Sequence, residues 1–560
     1  MKRNLECLAV LIGLCGLLSM FNNCSGGFSA MNLVNGSAQS TSVAGSGSTS
    51  VTGGSTKYAS SSFTGWPLEF IESDLTTAYP NIQYYGRFAV VGGLYPYTFK
   101  LLQAPSGMQI QTLTGEIKWT PTQNNTTTNV EVQVTDGTGA TLTHTYTINV
   151  TTNSFYFIDA NAGNDSNSGS ISAPFQTLQG VQNANLPNTA TLYVNSGTYA
   201  AYGINMKNMP GIITANPNDS SRPVFDCQSH GLCFYINSVT DPILFQGLEM
   251  TNCSFKYFVL DGNPINNVTW RNNIMDNLTV TNSNNAYENP AFIFTASYSA
   301  SLGSTATEPP PVYEHIIIQN NQFYNINNYN HDIHASAAIF FDVSHSLEED
   351  NVIHDIYDGS CIEDKEDGWY NTYRNNVCYN DDVYDVNILS QYTGGEDEVN
   401  NNLLIGDSND FSAIQIGLQP GYIRNIYIHN NTIINGITRF GPPFGTANTQ
   451  NFVIKNNLFY NDGTVNISPF PFYTGNPANF PGAKITANNN LYWSTASQPF
   501  LTWNWNGNEL DYLGWQNLGF DQNSSFGAKP ALSNDGTYSL SPSDPNYGVY
   551  GKDFLPGVWQ

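Results

Sequence analysis

An asparagine pair followed by a short apolar run keeps returning along this chain. It stands at Asn272 (NNIMDN), Asn320 (NNQFYNI), Asp350 (DNVIHDI), Asn375 (NNVCYN), Asn401 (NNLLIGD), Asn430 (NNTIING), Asn456 (NNLFYND) and Asn489 (NNLYWS). Where uninterrupted, the step is about 25 to 30 residues, the length of one solenoid coil. A unit this short cannot bury its own apolar face and must stack on its neighbours. The text on either side of each pair is β-rich, so the coils are expected to stack as parallel strands about 4.8 Å apart. Asparagines stacked at a turn can hydrogen-bond along the stack and tolerate left-handed backbone. The step from Asn272 to Asn320 is roughly double, so that coil either carries an insertion or lacks the motif. ASYSASLGSTATEPPPVYE, at 296–314, is the obvious loop there.

The rest of the chain divides by texture. Lys2 and Arg3 followed by the apolar run Leu8–Met20 read as an export signal, too short to span a membrane comfortably. Cys24 follows in FNNCSGGF, a layout that resembles a bacterial lipoprotein signal, which implies lipidation of Cys24. Asn22-Asn23 depart from the small residues usual before such a cysteine. Residues 24–62 are rich in Ser, Gly and Thr, cannot form a core, and read as a tether. Within 63–152 the alternation Val130, Val132, Val134 and Tyr146, Ile148, Val150 predicts antiparallel strands with Gly/Pro turns. The pieces GGLYPYTF, PSGMQI, TGEIKWTPT and VQVTDGTGA resemble immunoglobulin/cadherin-like modules, which implies a spacer or a glycan-contacting arm.

From Phe155, FYFIDANAGNDSNSG followed by APFQTLQ resembles the opening of bacterial parallel β-helix proteins of the pectate-lyase-like superfamily. The resemblance implies a first strand, a turn, and a capping helix that covers the open end of the stack. The fold class is therefore all-β: a right-handed parallel β-helix over 153–500, preceded by the small β-sandwich. A closing segment over 501–560 is expected to pack on it. Cys227 and Cys233 flank a short loop, DCQSHGLC, and suit a disulfide in an oxidising compartment, with buried thiols as the alternative.

The formal charge of −26 argues against nucleic acid, whose phosphates need Lys and Arg. Function is sought in the middle coils, where His331, His334, His345 and His354 share a field of acids with Lys365 and Arg374. Stacking AAIFFDV, SCIEDKE, VNILSQY and SAIQIGL aligns Ile339, Ile362, Ile388 and Ile414 inward. The outward rows then become Phe340, Glu363, Leu389, Gln415 and Asp342, Lys365, Gln391, Gly417. This register puts Lys365 on a solvent-facing groove beside Glu363, one strand spacing from Asp342, with Phe340, Gln391 and Gln415 as substrate contacts. Trp369 and Tyr370 could stack on sugar rings.

EDKEDGWYNTYRNN also resembles a segment of alginate lyase and chondroitinase B-type polysaccharide lyases, by which Lys365 would be the base. The second basic residue of that family falls here on Asp385, Val386 and Asn387. A hydrolase reading instead pairs two carboxyls from Asp342, Asp358, Glu363, Asp367, Asp382 and Asp385. NDD at Asn380 matches one piece of the polygalacturonase pattern, but its G-H-G and R-I-K pieces are absent. The acids could equally be solvated turns or Ca²⁺ ligands, with Lys365 in a structural ion pair. The expectation is a monomeric, lipid-anchored protein of the outer membrane or cell surface, or else a periplasmic or secreted one. It would engage a polysaccharide as lyase or hydrolase, or serve as a non-catalytic adhesin or envelope component.

Overall fold

In the computed structural model of the chain, residues 66–553 are described apart from internal stretches, the longest being 296–312, 441–451 and 474–484. The export signal, Cys24, the tether, His331, His334, Asp367 and Gln391 lie outside the described residues.

Three long sheets of 13, 12 and 12 strands run through the molecule, and coil after coil contributes one strand to each. Pairing between coils is parallel throughout, apart from the closing hairpin Trp503–Trp505 with Asn508–Leu510. This is a parallel β-helix, with the right-handed path expected of parallel crossovers. Its lumen is one continuous apolar core, from Ile158 and Leu178 at one end to Tyr492 and Trp515 at the other. The capping helix Leu178–Asn183 closes the first coil, and the Thr177 hydroxyl accepts from Gly180 N–H at 2.9 Å. At the far end Trp515, on the helix Tyr512–Asn517, reaches into the lumen and donates to Asp521 Oδ2 at 2.7 Å. Beyond it, Leu540 and Tyr550 pack over Leu403, Ile434, Leu458 and Leu491 on the outer face of the second sheet.

The double step after Asn272 is an insertion. Strand Ile265–Arg271 pairs directly with Tyr313–Gln319, Val268 opposite Ile316, so no further coil lies between the two asparagine pairs.

Each member of the asparagine pair has its own task. The first takes left-handed backbone, with φ of 55° at Asn272, 55° at Asn320, 54° at Asn375 and 57° at Asn430. The second points into the turn and forms an unbroken ladder. Asn376 N–H donates to Asn402 Oδ1 at 2.9 Å, Asn402 N–H to Asn431 Oδ1 at 3.0 Å, and Asn431 N–H to Asn457 Oδ1 at 2.9 Å. Each Nδ2 donates back to a carbonyl, as Asn402 Nδ2 does to Tyr373 O at 2.9 Å. The ladder satisfies buried backbone groups that no sheet reaches. Asn402→Ala should strip partners from Asn376 N–H and Tyr373 C=O, and each buried orphan costs about 1–3 kcal/mol. Urea unfolding of the variant is expected to show a loss of about 2–4 kcal/mol with an unchanged m-value.

The segment 71–151 is a two-sheet sandwich around Phe88, Phe99, Ile117, Val130, Val132, Val134 and Ile148. It is not held at arm's length as a spacer. Ile71, Ala89 and Val91 form one apolar cluster with Ile317 and Leu347 of the β-helix, and Ile82 packs with Phe155, Phe157 and Tyr193. The same interface holds a buried charge network. Arg374 donates to Glu349 Oε2 at 2.7 Å, Tyr97 Oη at 3.1 Å and Val90 O at 2.7 Å. Arg87 meets Glu349 and Asp350, and Arg271 meets Glu72 at 2.7 Å. Burial alone would raise the Glu349 carboxyl, but Arg374, Arg87 and Gln319 together hold it below the usual carboxylate range.

Candidate functional site

Strand Gly359–Lys365 of the third sheet carries the central candidates, between Ala335–Phe341 and Tyr384–Leu389. The observed register differs from the one expected. Ile339 faces Glu363, and Phe341 faces Lys365. On the other side Glu363 faces Asn387 and Lys365 faces Leu389, while Asn387 in turn faces Gln415 and Gln415 faces Arg439. The cause is a break in alternation. Ala337 and Ala338, Cys361 and Ile362, and Ala413 and Ile414 are consecutive pairs that both join the lumen core. Gly359 pins the shift: a Cβ on it would lie 2.2 Å from the Ala335 carbonyl oxygen, so no side chain fits there.

Two expected site residues therefore leave the row. Phe340 points into the lumen, 1% exposed, opposite Asp364. Asp342 sits past the strand end in left-handed backbone (φ 58°), buried, and it is Phe341 that occupies the place beside Lys365. Trp369 and Tyr370 are elsewhere too. Trp369 is buried at the corner entering the first sheet, bridged to Ser344, and Tyr370 packs between Trp66 and His345. Neither offers a free ring face to the row.

The row itself is a chain of polar contacts. Lys365 Nζ lies 3.0 Å from Glu363 Oε1 and 5.5 Å from the centre of the Phe341 ring. Asn387 Nδ2 donates to the same Glu363 oxygen at 3.1 Å, and Gln415 Nε2 donates to Asn387 Oδ1 at 3.3 Å. Tyr384 joins through Gln415; burial raises its phenol, while Arg439 and Gln415 work the other way. Of the expected residues, Glu363, Lys365 and Gln415 come together here. Asn387 and Tyr384 were missed because the register of Tyr384–Leu389 is shifted by two residues, and Arg439 because its coil lies beyond the four that were stacked. The row is not an open groove: Glu363, Lys365, Asn387 and Gln415 are 1%, 5%, 2% and 0% exposed.

The hydrolase pair does not assemble among the described residues of this row, whose acid is Glu363. Asp385 is buried near Cys361 and Cys378 in the lumen, and Asp382 accepts from Asp358 N–H at a turn. Three further carboxyls are buried inside. Asp364 accepts from Tyr373 Oη at 2.7 Å and Asn371 Nδ2 at 3.1 Å, and Asp397 accepts from Asn371 N–H at 2.9 Å. Burial pushes Glu348, Asp364 and Asp397 above the ordinary carboxylate range, and repulsion adds to it, Asp364 acting on Glu348 and Asp397, and Asp342 on Asp364. His354 stacks between Tyr324 and Tyr379, at 5.1 and 4.8 Å, and bonds to Asp355 at 2.8 Å, which marks a structural ring. Cys227 and Cys233 are joined as a disulfide.

Sandwich and solenoid define a two-part class: an Ig-like domain packed on a parallel β-helix. A family model described as "Putative Ig domain" matches residues 71–151. No curated protein matches the chain. Among solved structures, a GH136 lacto-N-biosidase from Eubacterium ramulus is similar at TM-score 0.38 and 10% identity, covering 67% of each chain. A rhamnogalacturonan lyase gives 0.33 at 16%, over 62% of this chain and 83% of that one. The family 28 exopolygalacturonase of Yersinia enterocolitica gives 0.27 at 8%, over 76% and 99%. Likeness this distant assigns no reaction, and the β-helix stands on the strand pairing itself.

Proposed function

We propose that this is an exported, surface-anchored protein that engages a polysaccharide, and that the Glu363–Lys365 row cleaves a uronate-containing chain by β-elimination. The observation that supports this is the 3.0 Å Lys365–Glu363 contact on the outer face of the third sheet, extended by Asn387 and Gln415. β-Elimination needs a neutral amine, while an adjacent carboxylate favours the charged one. Lys365 therefore acts as the base only once it has given up its proton. Neutral Lys365 then takes the proton from C5 of the uronate, the C4–O bond breaks, and a C4=C5 double bond forms. The leaving oxygen regains a proton from Lys365. Asn387 would meet the carboxylate of that uronate in exchange for its contact with Glu363. Arg439, three strand spacings and about 14 Å from Glu363, would meet a later unit of the polymer.

The test is a panel of uronate and neutral glycans, read by absorbance of unsaturated ends and by reducing sugar. Lyase chemistry is expected to give both signals, and Lys365→Met or Glu363→Gln should each lower turnover by about 10²–10⁴-fold. Reducing ends without unsaturation would replace the lyase by a hydrolase. The low exposure of the row favours a second reading, a non-catalytic adhesin or envelope component, in which Lys365–Glu363 is a structural ion pair. Glycan binding with silence in both assays would establish it. Anchoring is tested separately: Cys24→Ser is expected to move the protein from the membrane fraction to the soluble one, and retention in the membrane would refute lipidation there.

A further inference from the structure

A second chemical cluster lies inside the coil, apart from the row. Cys361 stands on the third-sheet strand Gly359–Lys365, Cys378 on the second-sheet strand Val377–Asp381, and Asp385 on the next third-sheet strand, Tyr384–Leu389. Cys361 Sγ, Cys378 Sγ and an Asp385 carboxylate oxygen all lie within 4.8 Å of one another, and all three residues are 0% exposed. Asp381 is adjacent, its Oδ2 accepting the Cys361 backbone N–H at 3.2 Å. Two thiols and a carboxylate that converge in one buried place form a donor set of metal-binding chemistry. The other cysteine trio, Cys227, Cys233 and Cys253, also converges, but its first two sulfurs are already bonded to each other.

We infer that Cys361, Cys378 and Asp385 form a buried site for a thiophilic divalent cation of the zinc class. Two sulfurs and one carboxylate suit zinc and its congeners, whereas Ca²⁺ and Mg²⁺ require oxygen donors. Zinc bonds sulfur at about 2.3 Å and carboxylate oxygen at about 2.0–2.2 Å, so ligand atoms on one tetrahedral ion stand about 3–4 Å apart. The observed spread needs only small side-chain rotations to reach that. The fourth position falls to water or to the Asp381 carboxylate. Binding releases two protons, one from each cysteine, and should tighten as pH rises. The closed lumen means that the ion is loaded as the coils form and is held until they open.

The full chain would be refolded in the presence of Zn²⁺, of Cd²⁺, and of a chelator, then gel-filtered. About one equivalent of metal per chain is expected to co-elute, released to chelator only on unfolding. The Cd²⁺ form should show thiolate-to-metal absorption. Cys361→Ala and Cys378→Ala should abolish both signals, and Asp385→Asn should weaken affinity about tenfold or more. Cys253→Ala, outside the trio, should retain them. If the cysteine variants do not fold, the native chain decides alone. Substoichiometric metal with no shift in unfolding midpoint between Zn²⁺ and chelator would overturn the site. So would a Cys361–Cys378 disulfide in a non-reduced peptide map of the exported protein.

Discussion

Arg374→Ala is expected to cost about 3–5 kcal/mol and to detach the Ig-like domain from the β-helix. Arg374 is 2% exposed, and no water can replace it without opening the interface. Its removal strips Glu349 of its closest charged partner and leaves Tyr97 Oη and Val90 O without their donor from this side chain. Arg87 remains against Glu349 at 3.3 Å, too distant to replace the 2.6 Å contact that was lost. A buried carboxylate left short of counter-charge is the expensive outcome, more so than loss of the pair as a whole. The native protein should unfold in one transition, because sandwich and solenoid share the Ile71, Ala89, Val91, Ile317 and Leu347 cluster. The variant should show two transitions and early proteolytic cleavage near residues 151–154. Arg374→Ala with Glu349→Gln should recover part of the loss, since the orphaned charge is gone. A single unchanged transition in Arg374→Ala would show that the apolar clusters hold the domain unaided.

The second large effect is expected to run in the stabilising direction. Asp364 lies in the lumen within reach of the field of Asp342, Glu348 and Asp397. Asp364→Asn keeps an oxygen for Tyr373 Oη and Asn371 Nδ2 and removes the ionisable proton. The native carboxyls of Glu348, Asp364 and Asp397 bind protons more tightly than in the unfolded chain. The unfolded state therefore releases protons first as pH rises, and ν_U − ν_N is negative across that window. Their contribution to stability is complete below the ordinary carboxylate range, near pH 4, and is lost as pH climbs through the raised native values. Each pKa unit of elevation corresponds to about 1.4 kcal/mol, so Asp364→Asn should gain about 2 kcal/mol or more at pH 8 and little at pH 4. Urea unfolding at both pH values checks the sign. Equal effects at the two would show that Asp364 does not ionise differently in the folded chain.

How much of this was legible in the sequence differs by element. The coil, the insertion and the asparagine turns were readable because each is local and repeated, and one αL residue plus one ladder residue recur in every turn. The lumen row of the second sheet keeps the register that the asparagine pairs set, with Phe323, Ile353, Cys378 and Leu404 opposite one another in successive coils. The third sheet does not. Its paired inward residues, such as Cys361 and Ile362, shift the frame by one, so Phe340 left the expected row and Ile339 and Phe341 took the outward places. That displacement, with a two-residue shift on Tyr384–Leu389, changed the candidate site from an open face carrying Asp342 to a closed row carrying Asn387.

The sequence by itself determined that the chain is a stack of short β coils behind a sandwich, since periodicity and turn chemistry are properties of neighbouring residues. Only the tertiary structure decided which side chains meet. Arg87 and Glu349 are 262 residues apart, and Cys361, Cys378 and Asp385 converge only once the chain has completed a turn of the coil. No local pattern encodes such pairs, because their proximity is set by how many residues each coil spends at its corners.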